Sequence, residues 1–289
     1  MTRDVDYLLT AIAPAVWGST YLVTTQFLPQ GYPLTVSMLR ALPAGLLLLL
    51  AVRQLPHGAW WSRVFVLGAL NFSIFWAMLF VAAYRLPGGV AATVGAIQPL
   101  IVLLLARLLL GSRIHPLAVF ASFAGVAGVA LLILTPSATL DPIGIAAGLA
   151  GAVSMAAGTV LTSRWRPPVS SLTFTAWQLT AGGMLLLPAV LWLEPTLPPL
   201  TSANLAGFAY LGLIGAAFTY YLWFRGIGRL EPATVSPLAL LSPVTAVILG
   251  WAFLAQSLTP MQIAGMILVL GSVWLSQRAQ SPVAARRAS

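Results

Sequence analysis

The chain has 289 residues, of which 60% are hydrophobic and 7% charged, and its mean hydropathy is +0.96. Soluble domains carry about 25% charged residues, so this composition excludes an ordinary water-soluble fold. All 14 cations are arginine, set against five acidic residues, two histidines and no cysteine. A phosphate-cradling Walker loop needs a lysine, and disulfides and thiol chemistry need cysteine; both are ruled out.

Apolar runs near 20 residues long, rather than alternating ten-residue strands, predict membrane-spanning helices. The first run, 7 to 26, carries Trp17 and Tyr21 four residues apart on one face. It continues past Ala11-Ile12-Ala13 with Pro14 just after, so it reads as a retained helix and not a cleaved signal. The second, 34 to 53, holds Arg40, the one charge placed inside a span, roughly 9 Å deep at about 1.5 Å per residue. The third, 64 to 84, presents Asn71, Phe75 and Met78 on one face with Trp76 beside it, and the fourth, 89 to 108, contains Gln98-Pro99. The fifth, 116 to 134, carries small-residue ridges at Ala121 and Gly125 and at Ala124 and Gly128. These suit close packing within the chain or a contact between copies, so monomer and homodimer both stay open.

The second half repeats the pattern with spans at 142 to 163, 171 to 193, 203 to 225, 233 to 255 and 260 to 277. Helix seven offers Trp177 and Gln178, helix eight Thr219, Tyr220 and Tyr221, and helix nine Ser242-Pro243. Residues Gly68, Arg85, Leu86, Pro99 and Pro116 recur as Gly212, Arg229, Leu230, Pro243 and Pro260, all at an offset of 144. Leu34, Thr35, Gly45 and Leu47 recur as Leu172, Thr173, Gly183 and Leu185 at 138. The expected organisation is therefore all-α, with a first five-helix repeat over 1–135, a second over 136–278 and a basic tail over 279–289. An odd number of spans per repeat threads the second copy upside down, the architecture of secondary transporters.

With the N-terminus in the cytoplasm, twelve arginines fall inside, Arg85 outside and Arg40 within a span. The positive-inside rule then puts both termini in the cytoplasm and explains the basic charge through the lipid bilayer, without nucleic acid as a partner. Asp4, Asp6, Asp141, Glu194 and Glu231 fall outside or at the edges of the spans, and His57 and His115 in loops. No membrane-buried carboxylate is expected, a catalytic constellation within the membrane has no base, and no cofactor or metal is implied. Trp60, Trp61, Trp165, Trp192 and Trp274 fall near span ends and read as interfacial anchors. Arg85 and Arg229 complement the negative ends of helices three and eight.

Pro99 and Pro243, repeat mates near mid-span, each free a carbonyl four residues earlier, at Gly95 and Ala239, and mark hinges or kinks. Around them Trp17, Tyr21, Arg40, Asn71, Phe75, Trp76, Met78, Gln98, Trp177, Gln178, Tyr220, Tyr221 and Ser242 are the candidate lining of a central cavity. Rings with a few amides suit a small amphiphile such as an amino acid with an apolar or aromatic side chain. They also suit an organic cation.

Trp17-Gly18-Ser19, the pairs Arg85-Leu86 and Arg229-Leu230, and Gln98-Pro99 with Ser242-Pro243, set in two opposed five-helix repeats, resemble the drug/metabolite transporter superfamily, EamA type. Within it the chain is most similar to the YddG-type amino-acid exporters of bacterial inner membranes. The resemblance implies an inner-membrane exporter of small metabolites, typically amino acids, working through a cavity between the repeats.

Overall fold

A computed structural model describes residues 3–86, 88–133, 141–194, 196, 199–255 and 257–279. The expected basic tail, apart from its first residue, lies outside them. Among the described residues all regular structure is helical, and ten helices are long and apolar enough to cross a bilayer. They are α1 (Arg3–Phe27), α2 (Pro33–Val52), α3 (Trp60–Gly68, Ala69–Ser73 and Ile74–Arg85), α4 (Gly88–Gly95 and Gln98–Leu110) and α5 (Pro116–Ile133). The second five are α6 (Pro142–Trp165), α7 (Ser171–Leu193), α8 (Ser202–Arg229), α9 (Pro232–Phe253) and α10 (Pro260–Ala279). Ten passes return the chain to the face where α1 begins, called here the near face.

The helices pair α2 with α7, α5 with α10, α3 with α6 and α1 with α8, while α4 lies on α6 and α9 on α1. Exchanging the two halves of the chain leaves that set of pairs unchanged. Lipid offers no hydrophobic drive for helix association, so close backbone approach at small residues must supply the attraction. A Cβ at Gly45 of α2 would run into the Thr180 backbone of α7, and one at Gly183 into the Leu42 backbone. Gly128 and Gly265 meet in the same way between α5 and α10. The Ala121/Gly125 ridge is therefore spent inside the chain, against Ser272 of α10 and Leu240, and is not free for a second copy.

The α2–α7 pair is tied at both ends. Pro33 opens α2, and the next two amides, Leu34 and Thr35, donate to the Glu194 carboxylate beyond α7 at 3.0 and 2.8 Å. This satisfies orphan donors and sets a negative charge at the positive helix end. At the other end Gln54, just beyond α2, accepts from Trp177 Nε1 at its carbonyl, 2.6 Å, and from Thr173 Oγ1 at its side chain, 3.4 Å. Glu194→Ala is expected to cost about 1–2 kcal/mol, as loss of a helix cap does. A melting temperature equal to the parent's would contradict that role.

The prolines interrupt α4 and α9 where expected. The first α-helical piece of α4 stops at Gly95 and the second restarts at Gln98 with Pro99 in its first turn. In α9 a 3₁₀ turn, Ser236–Leu240, precedes the piece carrying Pro243. Two interruptions have no proline: α3 and α8 each contain a π-helical stretch, Ala69–Ser73 and Tyr210–Phe218. Residues 69–73 map onto 213–217 at the 144 offset, so both wide turns occupy one repeat position.

One expectation is corrected, and two charged residues near span ends are buried. Trp60 is not an interfacial anchor: it is 7% exposed and packs against Trp177 and Phe174, whereas Trp61, Trp192 and Trp274 are exposed. Arg225, expected at the inner end of span eight, is buried within α8, which continues to Arg229. Asp6, expected outside or at the edge of the first span, lies in the first turns of α1 and is buried, where a partner from α8 compensates its charge.

Candidate functional site

One stripe of α1 faces α8. Asp6, Thr10, Ala13 and Trp17 follow helical spacing, so they meet α8 at successive depths. At the near face the Asp6 carboxylate lies 2.7 Å from Arg225 Nη2 and 3.3 Å from Arg229 Nη1. One turn on, Thr10 presses on Gly226, where a Cβ would collide with its side chain. Deeper still, Trp17 Nε1 donates to Thr219 Oγ1 at 2.9 Å.

Beside this stripe a cavity of about 850 Å³ is lined by the near-face ends of α4, α6, α7, α8 and α9. Arg164, Arg166, Arg225 and Arg229 stand on its wall with Glu231, and Phe174 and Phe224 supply its apolar part. From Phe224 the rings continue inward. It packs on Tyr220 at 5.7 Å, Tyr220 on Phe72 at 4.6 Å and on Trp17 at 4.8 Å, and Phe72 on Trp76 at 5.2 Å. The last ring carries Arg40, whose guanidinium carbon is 4.7 Å from the Trp76 centroid and whose Nη2 donates to the Gly215 carbonyl at 3.1 Å. That carbonyl belongs to the π-helical stretch of α8 and also accepts from Thr219 Oγ1 at 2.9 Å. A wide turn leaves it open to a partner from another helix.

Of the thirteen candidate lining residues, four meet here: Trp17, Trp76, Tyr220 and Arg40. Asn71, Phe75 and Met78 share a face, and it is the face that α6 covers. Asn71 sits on Gly158 and donates to Gln178 Oε1 at 2.7 Å, while Met78 lies against Gly151. Phe75 and Gln98 line a separate, small pocket of about 30 Å³ between α3, α4 and α6. Trp177 is buried with its N–H on Gln54, Tyr221 is half-buried, and the Ser242 carbonyl lies against Gly18 where α1 approaches α9. The side chain of Tyr21 lies outside the described residues.

Phe72, Phe174, Phe224 and Arg225 line the cavity or join the ring stack although selection by polarity and paired aromatics passed over them. The i,i+4 spacings Phe72/Trp76, Tyr220/Phe224 and Arg225/Arg229 were the available signal. Among the described residues no group of three His, Cys, Asp or Glu side chains is placed to hold a metal ion. The arrangement suits an amphiphile: arginines for an anionic head, rings for an apolar body.

Ten helices apolar and long enough to span a bilayer, with a cavity entering between the near-face ends of five of them, define a multi-pass membrane protein. The model of the EamA-like transporter family matches residues 6–134 and again residues 142–277, and the chain belongs to that family. Protein PecM of Dickeya dadantii (strain 3937) is 46% identical over 267 residues, spanning 92% of this chain and 90% of that protein. The uncharacterized inner membrane transporter YedA of Escherichia coli (strain K12) is 29% identical over 267 residues, 90% of this chain and 86% of its own. With such relatives the ten apolar helices belong to a multi-pass inner-membrane protein. A solved crystal structure superposes over 100% of both chains with a TM-score of 0.83 at 22% identity, which concerns the fold alone.

Proposed function

We propose that this protein is a secondary transporter that exports small metabolites, foremost amino acids with hydrophobic or aromatic side chains, by alternating access. Its moving parts are two opposed five-helix repeats, 1–135 and 136–278, with both termini in the cytoplasm. The double match of the family model, the pairing that survives exchange of the halves, and the arginine distribution support that organisation. The observation that carries the functional reading is the cavity at the near face, walled by four arginines and closed inward by stacked rings. It is the inward-facing form, with Trp17, Trp76 and Tyr220 as the closed gate and the breaks before Pro99 and Pro243 as hinges.

Export of organic cations is the second reading, favoured by the same rings. The arginine-lined wall opposes it, since like charge at the mouth repels a cation.

Counterflow in liposomes tests both. Labelled phenylalanine should exchange, threonine more slowly, and a quaternary amine not at all. Exchange of the quaternary amine alone would replace the first reading with the second. The chain has no cysteine, so single cysteines at Ser112 and Ser163, both on the cavity wall, report its face. An impermeant maleimide should label them in inside-out vesicles and not in right-side-out ones; the reverse pattern overturns the orientation.

A further inference from the structure

The contact that Arg40 makes has a counterpart elsewhere in the bundle. At the 138 offset Arg40 corresponds to Gln178, and at the 144 offset Gly215 corresponds to Asn71. Arg40 of α2 reaches the π-helical stretch of α8 at Gly215, and Gln178 of α7 reaches the π-helical stretch of α3 at Asn71. The same join is made twice, once between two neutral amides and once between a guanidinium and a glycine.

The amide join is neutral and fully buried: Asn71 and Gln178 are both 0% exposed, Gly158 gives Asn71 its seat, and one hydrogen bond leaves Asn71 Oδ1 and Gln178 Nε2 without a partner. The arginine join carries a charge without a counter-charge: no carboxylate pairs with Arg40 among the described residues, and its Nε is buried without a partner. Gly215 presents no side chain there, and an added Cβ would make ordinary contact with Leu211 at 3.6 Å and with Arg40 Nη2 at 3.8 Å. A membrane-embedded arginine is costly and is kept where an anion or a wet route compensates it. The carboxylates present are committed elsewhere or lie outside this depth. Asp6 holds Arg225 and Arg229, Asp141 caps α6 and pairs with Arg85 at 3.7 Å, and Glu194 caps α2. Asp4 and Glu231 are exposed at the near face.

We propose that Arg40, beside the bare backbone of Gly215, recognises the carboxylate of the transported substrate, and that the amino group goes unrecognised there. Apolar and aromatic monocarboxylates lacking an amine are then substrates alongside amino acids. The inference rests on the central route proposed above, and a substrate reaches Arg40 only when the Phe72–Tyr220–Trp17 layer parts. The carboxylate replaces the Gly215 carbonyl on the guanidinium as a charge-assisted, two-pronged acceptor, and Trp76 stacks on the apolar body.

The test is counterflow by the purified, reconstituted protein with three labelled probes of one skeleton: phenylalanine, 3-phenylpropionate and phenethylamine. The expected result is exchange of both carboxylates at similar rates and none of the amine. Exchange of 3-phenylpropionate without phenylalanine sinks the amino-acid reading and leaves this inference standing. Phenylalanine without 3-phenylpropionate, comparable exchange of phenethylamine, or exchange of none of the three overturns it. The double variant R40Q/G215N rebuilds the Gln178–Asn71 join at the second position, which separates charge from packing. It should keep the parental melting temperature while carboxylate exchange falls roughly ten- to a hundredfold, the loss of one hydrogen bond to a charged group. Parental carboxylate exchange by that variant overturns the proposal, and if the variant does not fold the three-probe comparison on the parent decides alone.

Discussion

Asp6→Ala is expected to destabilise the protein by about 3–5 kcal/mol, the cost of breaking a buried ion pair by removing one partner. Asp6 and Arg225 approach to 2.7 Å with side chains only 11% and 9% exposed, so solvent screens the pair little. The carboxylate also serves Arg229 at 3.3 Å, so one deletion strips two arginines, four residues apart on α8, of their shared counter-charge. Those arginines would then repel along one helix face. The damage falls on the α1–α8 pair, which also positions Trp17 on Thr219. Thermal melting of the purified protein measures it, and Asp6→Asn should fall between alanine and the parent because the amide still accepts one hydrogen bond. Asp6→Leu combined with Arg225→Met should recover most of the loss, as apolar replacement of a whole buried pair does. If Asp6→Ala melts with the parent, the strut is not a stabilising element.

That pair also marks where the sequence stops being legible. Ten spans and an all-helical fold were readable because hydrocarbon demands long apolar runs, and Arg40, Trp76 and Tyr220 were readable because polar and aromatic groups at mid-span are costly or distinctive. Asp6 looked interfacial, since four residues near a chain end give no sign that α1 starts at Arg3 or that a partner waits 223 residues away. The π-helical stretches were invisible for a related reason: a hydrophobic period of 3.6 registers no single added residue in a run apolar on every face. Asn71 and Gln178 were chosen for their polarity, and the structure joins them by one hydrogen bond, from Asn71 Nδ2 to Gln178 Oε1. A single sequence offers two such amides without saying that they meet. The repeat did contain the correspondences of Arg40 with Gln178 and of Asn71 with Gly215, but not the contact of Arg40 with the Gly215 carbonyl.

The repeat has a mechanical consequence at Gly45 and Gly183, and valine at either is expected to prevent stable folding. Each glycine presses on backbone together with the side-chain atom beside it, Thr180 Oγ1 at Gly45 and Leu42 Cβ at Gly183. A Cβ at Gly45 would strike the Thr180 amide and the Leu179 carbonyl carbon, and one at Gly183 the Leu42 amide and Cα. Backbone can yield only by moving α2 and α7 apart as whole helices. Separation would strain the ties at both ends of the pair, Glu194 on the α2 amides and Gln54 on Trp177. Overpacking of a tight interface costs about 1–3 kcal/mol, and in lipid no hydrophobic gain offsets the lost approach. Gly45→Ala and Gly183→Ala should therefore lower the melting temperature alike, because the two positions are one contact seen from either helix, and the valine variants should fail to accumulate as monodisperse protein. Gly271→Ala on α10 is the control: nothing lies within 4 Å of its added Cβ, and alanine favours the helix by about 1 kcal/mol over glycine. Equal behaviour of Gly45→Val and Gly271→Ala would mean that α2 and α7 are not held at the backbone distance on which this account of their pairing depends.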